Sequence, residues 1–388
     1  MTQSTKINIY DQFHCIADQC TFTCCQEWRI GVDKKTLQKW KGLKLASGAE
    51  MDNQQELKLE QCVKKDGAGY VITLGKDKKC PFLNKNKLCR LVLELGEDHL
   101  SETCTTFPRQ INEFEDRTEY SLDTGCPAVV DLLLKQTDVI SFNQEGSQTS
   151  HEAILYDVRE LILNIMIQAN YSLPERMMIT FYVLLEILEQ KELTKEKVES
   201  YKASKVIQPV ADAIRGMRFN LADTFFECNE LFLDIAQNYR KQKLYVDYLE
   251  PIARLAEKLE AEYDERLILE KAQRFEKAFL TYEKLINNYL LAEVFGNCLM
   301  PDMCLEDVIM GFEWITLEYT ILKQAIFLRW SLEGEKALEY TMIRDYINVI
   351  SRVTGYESSD IKEYLENSFE SRIWEWGYLA LIVGNSKM

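Results

Sequence analysis

Apolar residues recur at helical spacing through most of the chain after about residue 151. One stripe, at steps of three and four residues, consists of Ile154, Val158, Leu161 and Ile165. A second stripe with the same spacing consists of Phe275, Phe279, Tyr282, Ile286 and Tyr289. Because this spacing aligns side chains on one helix face, it predicts helices over 151–170, 174–190, 194–213, 218–241, 247–295, 305–331, 335–353, 357–367 and 371–383. The long 247–295 stretch is expected to hold two helices.

Prolines support these boundaries. Pro174, Pro251 and Pro301 stand where helices are expected to start or stop, because proline lacks the amide hydrogen that a helix interior requires. No fixed period of a repeat protein is visible. The sequence therefore predicts a helical domain over 151–388, arranged as a bundle or an irregular array.

The chain before residue 127 has a different pattern, with short elements separated by loops. It predicts short helices over Lys34 to Trp40 and Lys87 to Leu95, and strands over Tyr70 to Leu74 and Thr118 to Asp123. The polar stretch from Gln136 to Ser150 is interpreted as a linker or an exposed loop. The predicted fold class is therefore mainly α: a loop-rich N-terminal region with short strands over 1–135, followed by the helical domain.

Cysteines are concentrated in this N-terminal region, which holds nine of the twelve in the chain. Apart from Cys62, they fall into two clusters and one outlier: Cys15, Cys20, Cys24 and Cys25; Cys80, Cys89 and Cys104; and Cys126. Thiolate sulfur is a soft ligand for zinc or for an iron–sulfur cluster. The pattern predicts that a metal centre organises residues 1–135.

Two other readings of the cysteines remain open. A disulfide framework is disfavoured because the polar start of the chain, Met1 to Tyr10, shows no secretory signal, and a chain of 388 residues can bury a core without staples. Buried thiols can also act as small apolar core residues. That interpretation is the expected one for Cys228, Cys298 and Cys304, which lack paired spacing.

The net negative charge of the chain limits which macromolecules are expected to bind it. The net charge is −16 and the calculated isoelectric point is about 4.9, so a phosphate backbone would be repelled and nucleic acid is not an expected partner. A cationic, lysine-bearing protein fits this surface, although acidity can also serve solubility alone. No stretch reaches the roughly 18 consecutive apolar residues of a membrane span. The expected location is the cytoplasm.

The common cofactor motifs are absent from the sequence. There is no G-x-G-x-x-G after a strand, no phosphate-binding G-x-x-x-x-G-K-[ST] and no H-E-x-x-H. The chain has only three histidines, which disfavours a histidine-rich catalytic zinc site. The C-x3-C-x2-C triplet of radical enzymes is also missing. Cys20 and Cys24 have its first spacing, but Glu27 stands where its third cysteine would be.

Four runs of the sequence, in matching order, resemble the flagellin lysine-N-methylases. They are FHCIADQCTFTCCQEWRIGVD (13–33), CPFLNKNKLCRLVLELGEDHLSETCTTFPRQ (80–110), EYSLDTGCPAVV (119–130) and KLINNYLLAEVF (284–295). The cysteine runs are the most specific part of this resemblance. A broader group of cysteine-rich, zinc- or iron-chelating proteins shares the C-C, C-P-F-L and C-x-x-F-P elements.

The resemblance implies transfer of methyl groups from S-adenosylmethionine to lysine side chains of flagellin. It also implies an iron–sulfur cluster of the [4Fe–4S] type, held by the cysteine region, with zinc as the alternative metal. Because a cubane needs four thiolates, the eight candidates exceed one site. The first-ranked ligands are Cys80, Cys89 and Cys104 with Cys20 or Cys24, followed by Cys25, Cys126 and Cys15.

The methyl acceptor makes a chemical demand on the site. A lysine amine with a pKa of about 10.4 is protonated at neutral pH and must lose its proton before it attacks a sulfonium methyl. Arg109, Asn288 and Tyr289 are candidate cofactor-binding residues, each with an alternative structural interpretation. The catalytic residues are not assigned from the sequence.

Two non-catalytic functions remain as alternatives. One is a metal-chelating or metal-delivery protein of the broader cysteine-rich group, which would hold labile zinc or iron and would not bind S-adenosylmethionine. The other is a helical interaction scaffold that structural zinc stabilises. The colour of the purified protein separates these possibilities, because an iron–sulfur cluster is brown and zinc is colourless.

Overall fold

The computed structural model describes residues 3–46, 56–67, 69–136, 140–144, 153–261, 264–355 and 357–384. The strands are β1 (Gln3–Ile7), β2 (Lys44–Leu45), β3 (Leu57–Lys58), β4 (Val63–Asp66), β5 (Gly69–Ile72), β6 (Arg109–Glu113), β7 (Arg117–Leu122) and β8 (Phe142–Gln144). The helices of the N-terminal part are α1 (Lys34–Trp40), α2 (Arg90–Leu95), α3 (Glu102–Thr106) and α4 (Pro127–Lys135).

Helices occupy nearly all the rest of the described chain. They are α5 (Ala153–Met166), α6 (Leu173–Leu188), α7 (Lys195–Ser200), α8 (Ser204–Gly216), α9 (Leu221–Gln242), α10 (Val246–Ala261), α11 (Glu265–Phe279), α12 (Glu283–Asn297), α13 (Leu305–Leu332), α14 (Tyr340–Val353), α15 (Ser358–Phe369) and α16 (Trp376–Val383). The prediction of a mainly α protein is confirmed. No helix among these residues is both long and apolar enough to cross a membrane.

Helix α13 forms the centre of the helical part. It packs against α6, α9, α10, α12, α14 and α16, and most of its side chains are buried on every side. A helix that is apolar all round is the type that occupies the middle of a large core. Charged side chains in the middle of α13 are therefore carried into the interior, and this applies to Glu313 and Glu318.

A four-stranded sheet with the order β6–β7–β1–β8 lies against α12. Strands β1 and β7 are parallel, and β6 and β8 pair antiparallel to their neighbours. The contact with α12 is close at Gly296, where an added Cβ would come within 2.9 Å of both Gln110 Oε1 and Ser121 Oγ. Glycine at this position lets the helix backbone approach the sheet.

A buried ion pair joins this sheet to α5. The Glu119 carboxylate on β7 accepts from Arg159 Nη1 at 2.5 Å and Nη2 at 2.6 Å, and it lies 2.5 Å from Arg117 Nη2. Arg159 Nη1 also donates to the Phe295 carbonyl of α12 at 3.2 Å. Two guanidinium groups therefore compensate one carboxylate that water does not reach.

The described residues pack into two hydrophobic cores. The large core contains the helices together with sheet residues such as Ile7, Phe114 and Leu122. The small core is built around Trp40 and Phe82 by the β2–β3 and β4–β5 hairpins, and it also contains Cys62 and Cys80. The division of the chain at residue 135 stays a prediction, but the N-terminal sheet shares the core of the helices.

Several boundaries differ from the sequence predictions. The 247–295 stretch holds α10, α11 and α12 rather than two helices, and 194–213 is split into α7 and α8. Pro251 lies inside α10 rather than at its end. It is in the second turn, where the bond lost with the proline amide is one near the helix start.

The stretch from Gln136 to Ser150 is not only a linker. Its residues 142–144 form β8, which pairs with β1, while 137–139 and 145–150 lie outside the described residues. In contrast, α1 has the predicted bounds, because Asp33 caps its start by accepting from the Thr36 amide at 2.8 Å.

Candidate functional site

The structure brings five of the predicted cysteine ligands together. The Cys80 amide donates to the Cys25 carbonyl at 2.8 Å, Cys89 pairs with Leu83 in a β-bridge, and Cys104 lies on α3. Electrostatic interactions link the thiols of Cys24, Cys25, Cys80, Cys89 and Cys104. The loop of Cys24 and Cys25 therefore meets the 80–104 segment, more than 50 residues later in the sequence, beside the small core. We call these five residues the thiol cluster.

The pKa values of the thiols differ widely within the thiol cluster. Burial raises the pKa of Cys104 to about 11 and raises the pKa of Cys80 further. At Cys24, a hydrogen bond with the Cys25 thiol lowers the pKa to about 7 against the effect of burial, and Arg352 lowers it as well. Cys24 is therefore the member of the cluster whose thiolate is most readily formed near neutral pH.

The remaining predicted ligands lie beside this cluster. Cys20 interacts electrostatically with Cys15 and Cys24, and Cys126 interacts with Cys20 and Cys24. Cys15 is exposed, while Cys126 is buried at the N-cap of α4. Cys304, which was expected in the core, is exposed at the N-cap of α13.

The donor chemistry of the thiol cluster fits a soft metal centre. Its polar donors are sulfur atoms, and the neighbouring Arg352 favours the thiolate form that ligation requires. In the part of the chain that the structure describes, no three or more His, Cys, Asp or Glu side chains have the arrangement of a metal-ion site. The cluster thus provides the ligand type of such a centre but not the ligand arrangement of a metal-ion site.

Arg352 of α14 fastens the first cysteine loop to the helical core. Its guanidinium donates to the carbonyls of Phe22 and Thr23 at 3.1 Å and to Gly125 at 2.9 Å. It also lies over the rings of Phe22 and Trp28, at 4.3 and 5.3 Å from their centroids. A single side chain therefore connects the loop before Cys24 with the segment before Cys126.

Arg109, a predicted cofactor-binding residue, lies on the other side of this loop. Its guanidinium is 5.0 Å from the Phe13 ring centroid and 5.8 Å from that of Tyr10, and it donates to the Phe13 carbonyl at 3.4 Å. The neighbouring Phe107 packs edge-on against Trp28 at 4.6 Å. In the structure Arg109 thus holds the chain that leads into the first cysteine run.

A second feature is a cavity of about 260 Å³ between the sheet and α12, α13 and α14. Its walls combine carboxyl and amide groups with methionine and tryptophan side chains. They are formed by Gln110, Asp123, Glu293, Asn297, Met300, Met303, Asp307, Met310, Gly311, Trp314, Ile315, Glu318, Ser351, Thr354, Gly355, Ser358 and Ile361. We call it the acidic cavity. It lacks any Lys or Arg among these lining residues.

Glu293 is held at the sheet side of the acidic cavity by neutral groups. Thr124 Oγ1 donates to one of its carboxyl oxygens at 2.5 Å, and Asn297 Nδ2 donates to the other at 2.5 Å. Thr124 Oγ1 also lies 2.8 Å from Ser351 Oγ. Burial and the neighbouring Glu318 raise the pKa of Glu293 well above its usual range.

Glu318 faces the same cavity from the middle of α13. Its side chain is buried, and its Oε1 has no hydrogen-bond partner among the described residues. Burial raises the pKa of Glu318 to about 7, although Tyr289, Thr354 and Ser351 lower it. A carboxyl with a pKa near neutrality can accept and release a proton under working conditions.

The two predicted residues of α12 have different surroundings. Tyr289 is fully buried, and Glu318 and Glu293 add to the effect of burial in raising the pKa of its phenol. The Asn288 amide instead bonds to backbone, accepting from Ile140 N at 3.1 Å and donating to Leu133 O at 3.2 Å. Tyr289 is thus next to the acidic cavity, and Asn288 holds the segments that flank 137–139.

Sequence reasoning did not single out Glu293, Glu318 or Asp123. The chain has 62 acidic residues, so an acid alone gives no signal. A usable signal is a lone acid inside an apolar helical run, as in NYLLAEVF for Glu293 and WITLEYTIL for Glu318. The helix carries such a residue into the core, where a charged side chain is rarely found unless it is paired or has a function.

Comparison with known proteins places this architecture in a family. A family model described as the FliB lysine N-methylase C-terminal domain matches residues 159–382. The lysine-N-methylase of Salmonella typhimurium is 28% identical over 158 residues, which is 40% of this chain and 38% of that protein. The lysine-N-methylase of Salmonella choleraesuis is also 28% identical, over 39% of this chain and 38% of its own length.

A third relative is covered more fully. The flagellar biosynthetic protein FliU of Salmonella muenchen is 28% identical over 144 residues, which is 37% of this chain and 83% of that protein. The matches to the two lysine-N-methylases span 38% of their length, and no solved structure matches the chain. Because the family model covers more than half of the 388 residues, the chain belongs to the FliB lysine N-methylase family.

Proposed function

We propose that this protein transfers methyl groups from S-adenosylmethionine to lysine ε-amines of flagellin. The observation that carries the proposal is that the family match over residues 159–382 contains most of the acidic cavity, from Glu293 to Ile361. The relatives are named for lysine N-methylation and for flagellar biosynthesis. The cavity supplies carboxyl groups and apolar walls, the combination that a long cationic side chain requires.

The proposed reaction is a direct displacement. The neutral lysine nitrogen attacks the sulfonium methyl carbon, an N–C bond forms, and the C–S bond breaks so that the electron pair leaves with sulfur. The products are a methylated amine and a neutral thioether. Because the ammonium form has no lone pair, a base must first remove a proton from it, and rate rises with pH until that proton is lost.

The proposed cofactor of the thiol cluster is an iron–sulfur cluster of the [4Fe–4S] type. Cys24, Cys80, Cys89 and Cys104 are proposed as its ligands, with Cys25 as the nearest substitute. An iron–sulfur cluster supplies redox chemistry or an open iron for a ligand. Direct methyl transfer uses no electron, so the centre is proposed to order the loops beside the small core.

The proposed setting is the cytoplasm, where thiols stay reduced. The proposed partner is flagellin before its assembly, as a protein whose lysines are accessible. The net charge of −16 favours the approach of a lysine-bearing surface at low ionic strength and opposes nucleic acid.

The test is mass spectrometry of cognate flagellin after anaerobic incubation with metal-replete enzyme and S-adenosylmethionine. The expected result is a mass increase of whole methyl groups, mapped to lysine by fragmentation. Unmodified flagellin, together with no binding of S-adenosylmethionine by calorimetry, would refute the proposal and favour a chelating protein. A colourless, zinc-containing preparation would instead favour the zinc-stabilised scaffold.

The metal assignment has its own test. Cys80→Ser, Cys89→Ser and Cys104→Ser should each remove most of the bound iron, because a serine oxygen is a harder and poorer ligand than thiolate sulfur. Cys228→Ser is the matched control, since Cys228 is buried like Cys80 but lies on α9 in the large core. Full iron content in all three variants would overturn the assignment.

A further inference from the structure

We propose that the acidic cavity is the receptor for the substrate lysine side chain, with Glu318 as the residue that takes the ammonium proton. The inference rests on the proposed function and deepens it. It stands on geometry that no sequence motif indicates: a carboxyl oxygen without a partner, buried at the centre of α13 and facing a lined space.

The size of the cavity fits a side chain better than a whole cofactor. Its volume of about 260 Å³ is below the roughly 300–1,000 Å³ of pockets that take drug-sized ligands. The exposed Gly355 lies at its rim, so a side chain on a protein surface can enter while its backbone stays outside.

The lining matches the two ends of a lysine side chain. Met303, Met310 and Trp314 provide apolar surface for the four methylene groups. The carboxyl groups of Glu293 and Glu318 face the position that an entering ammonium group would reach. No lining residue is a Lys or an Arg, so a cation from outside is the partner that these carboxyls lack.

The two glutamates are suited to different tasks. Both oxygens of Glu293 are occupied, by Thr124 and by Asn297, so this carboxyl is held in place and shapes the site. Glu318 has a free oxygen and a pKa near 7, so its carboxylate can accept a proton from the bound ammonium. The proton then passes to solvent after methyl transfer.

Several charged and titratable groups act on Glu318 and belong to any pH analysis. They are Tyr289 and Glu293 on α12, Asp307 at the start of α13, Asp123 after β7, and Arg352 of α14 beside Asp123. Apart from Arg352, these groups are acids, and Asp307 is paired with Lys362 of α15 at 2.7 Å. An arriving ammonium therefore meets carboxyl groups that stabilise its positive charge, and the ammonium in turn favours the carboxylate of Glu318, which the neighbouring Asp123 disfavours.

The direct experiment uses the methionines of the cavity wall as reporters. Metal-replete enzyme with 13C-methyl methionine is titrated with Nα-acetyl-lysine amide, and the Met303 and Met310 methyl signals are followed by NMR. Both signals should shift in wild type, and Glu318→Gln should weaken this binding at least tenfold. Glu313→Gln is the matched control, because Glu313 lies on the same helix, is also buried and also has one oxygen without a partner among the described residues, but it accepts from Trp374 N at 2.6 Å and does not line the cavity.

The kinetic arm separates this inference from the proposed function. With flagellin and S-adenosylmethionine, Glu318→Gln should lower kcat by at least about 100-fold and remove the rise of rate with pH near neutrality, while Glu313→Gln stays at the wild-type rate. An active wild type with an equally active Glu318→Gln variant would overturn the inference alone. Methionine signals that respond to S-adenosylmethionine but not to the lysine amide would also overturn it, whereas lysine binding by an inactive wild type would overturn only the proposed function.

Discussion

Two buried glutamate sites in this protein have opposite electrostatic environments. Glu119 on the sheet is paired with both Arg117 and Arg159, whereas Glu318 on α13 has only neutral or acidic groups around it. A buried carboxylate costs several kcal/mol unless it is paired. The first site is therefore complete within the folded chain, and the second is complete only when a cation or a proton arrives.

The comparison separates a structural role from a functional one without reference to any motif. Both carboxyls are nearly inaccessible, at 2% and 5% exposure for Glu119 and Glu318. What differs is the count of cations within reach. Where a buried acid without a counter-charge also lines a cavity, as Glu318 does and Glu313 does not, the imbalance indicates a site that something else must fill.

The largest expected effect comes from removing a cation at the complete site. Arg159→Met leaves Glu119 with one arginine and should lower the free energy of unfolding by about 3–5 kcal/mol. Urea denaturation of the metal-replete protein at neutral pH measures this. Arg266→Met is the control, because Arg266 pairs with Glu270 at an exposed position and should change stability by less than about 1 kcal/mol.

A loss at Arg159 no larger than at Arg266 would remove the contrast between the two glutamate sites. Such a result would mean that water or a structural rearrangement can stabilise the Glu119 carboxylate without Arg159. The position is a strict test since Arg159 is fully buried and also bonds to the Phe295 carbonyl.

The second effect concerns pH at the incomplete site. The pKa of Glu318 is raised from an ordinary 4.5 to about 7 by burial, so between these values the folded state holds a proton that the unfolded chain has released. Stability therefore falls as pH rises through this window, by up to about 3 kcal/mol. Glu318→Gln should remove this part of the decline and be more stable than wild type at pH 8.

Denaturation midpoints at pH 4.5 and pH 8 provide the measurement. The variant and wild type should differ little at the lower pH, where the carboxyl is protonated in the folded state and still half protonated in the unfolded chain. Glu313→Gln should flatten the profile as well, since burial raises the pKa of Glu313 to about 8, but it should leave activity intact. A Glu318→Gln variant less stable than wild type at pH 8 would contradict the uncompensated site.

The smallest effect tests the neutral hydrogen bonds that take the place of cations. Thr124→Val removes the donor to Glu293 and the contact with Ser351, and should cost about 1–3 kcal/mol, the usual range for leaving buried polar groups unsatisfied. Thermal unfolding at pH 6 measures it. Thr124→Ser keeps the hydroxyl and should recover most of the loss; equal losses in both variants would point to packing of the methyl group instead.

Local signals predicted the elements that local chemistry builds. Helix α1 was predicted with the observed bounds because Asp33 caps it and its apolar positions face the small core. The division of 247–295 into three helices was missed, since Asp264 and Tyr282 interrupt a sequence whose helix propensity is continuous. Strand β8 was missed because its partner, β1, is more than 130 residues away.

The same distinction holds for the site. The thiol cluster could be predicted because cysteine is rare and its clustering is visible in the sequence. The acidic cavity could not be, because Asp123, Glu293 and Glu318 lie on three separate elements and resemble any of the many other acids until the fold joins them. A functional role that depends on a buried acid lacking a nearby cation can be recognised only when the spatial neighbours of that acid are known.

The hydrogen bonds of Arg352 have a consequence for how the thiol cluster and the acidic cavity influence each other. Arg352 grips the loop before Cys24, while its neighbour Ser351 touches Thr124 at the wall of the cavity. The last turn of α14 therefore contacts both the thiol cluster's loop and the wall of the acidic cavity. Thermodynamic reciprocity then applies: to whatever extent a filled thiol cluster tightens the hold on a lysine, a bound lysine tightens the hold on the metal by the same factor.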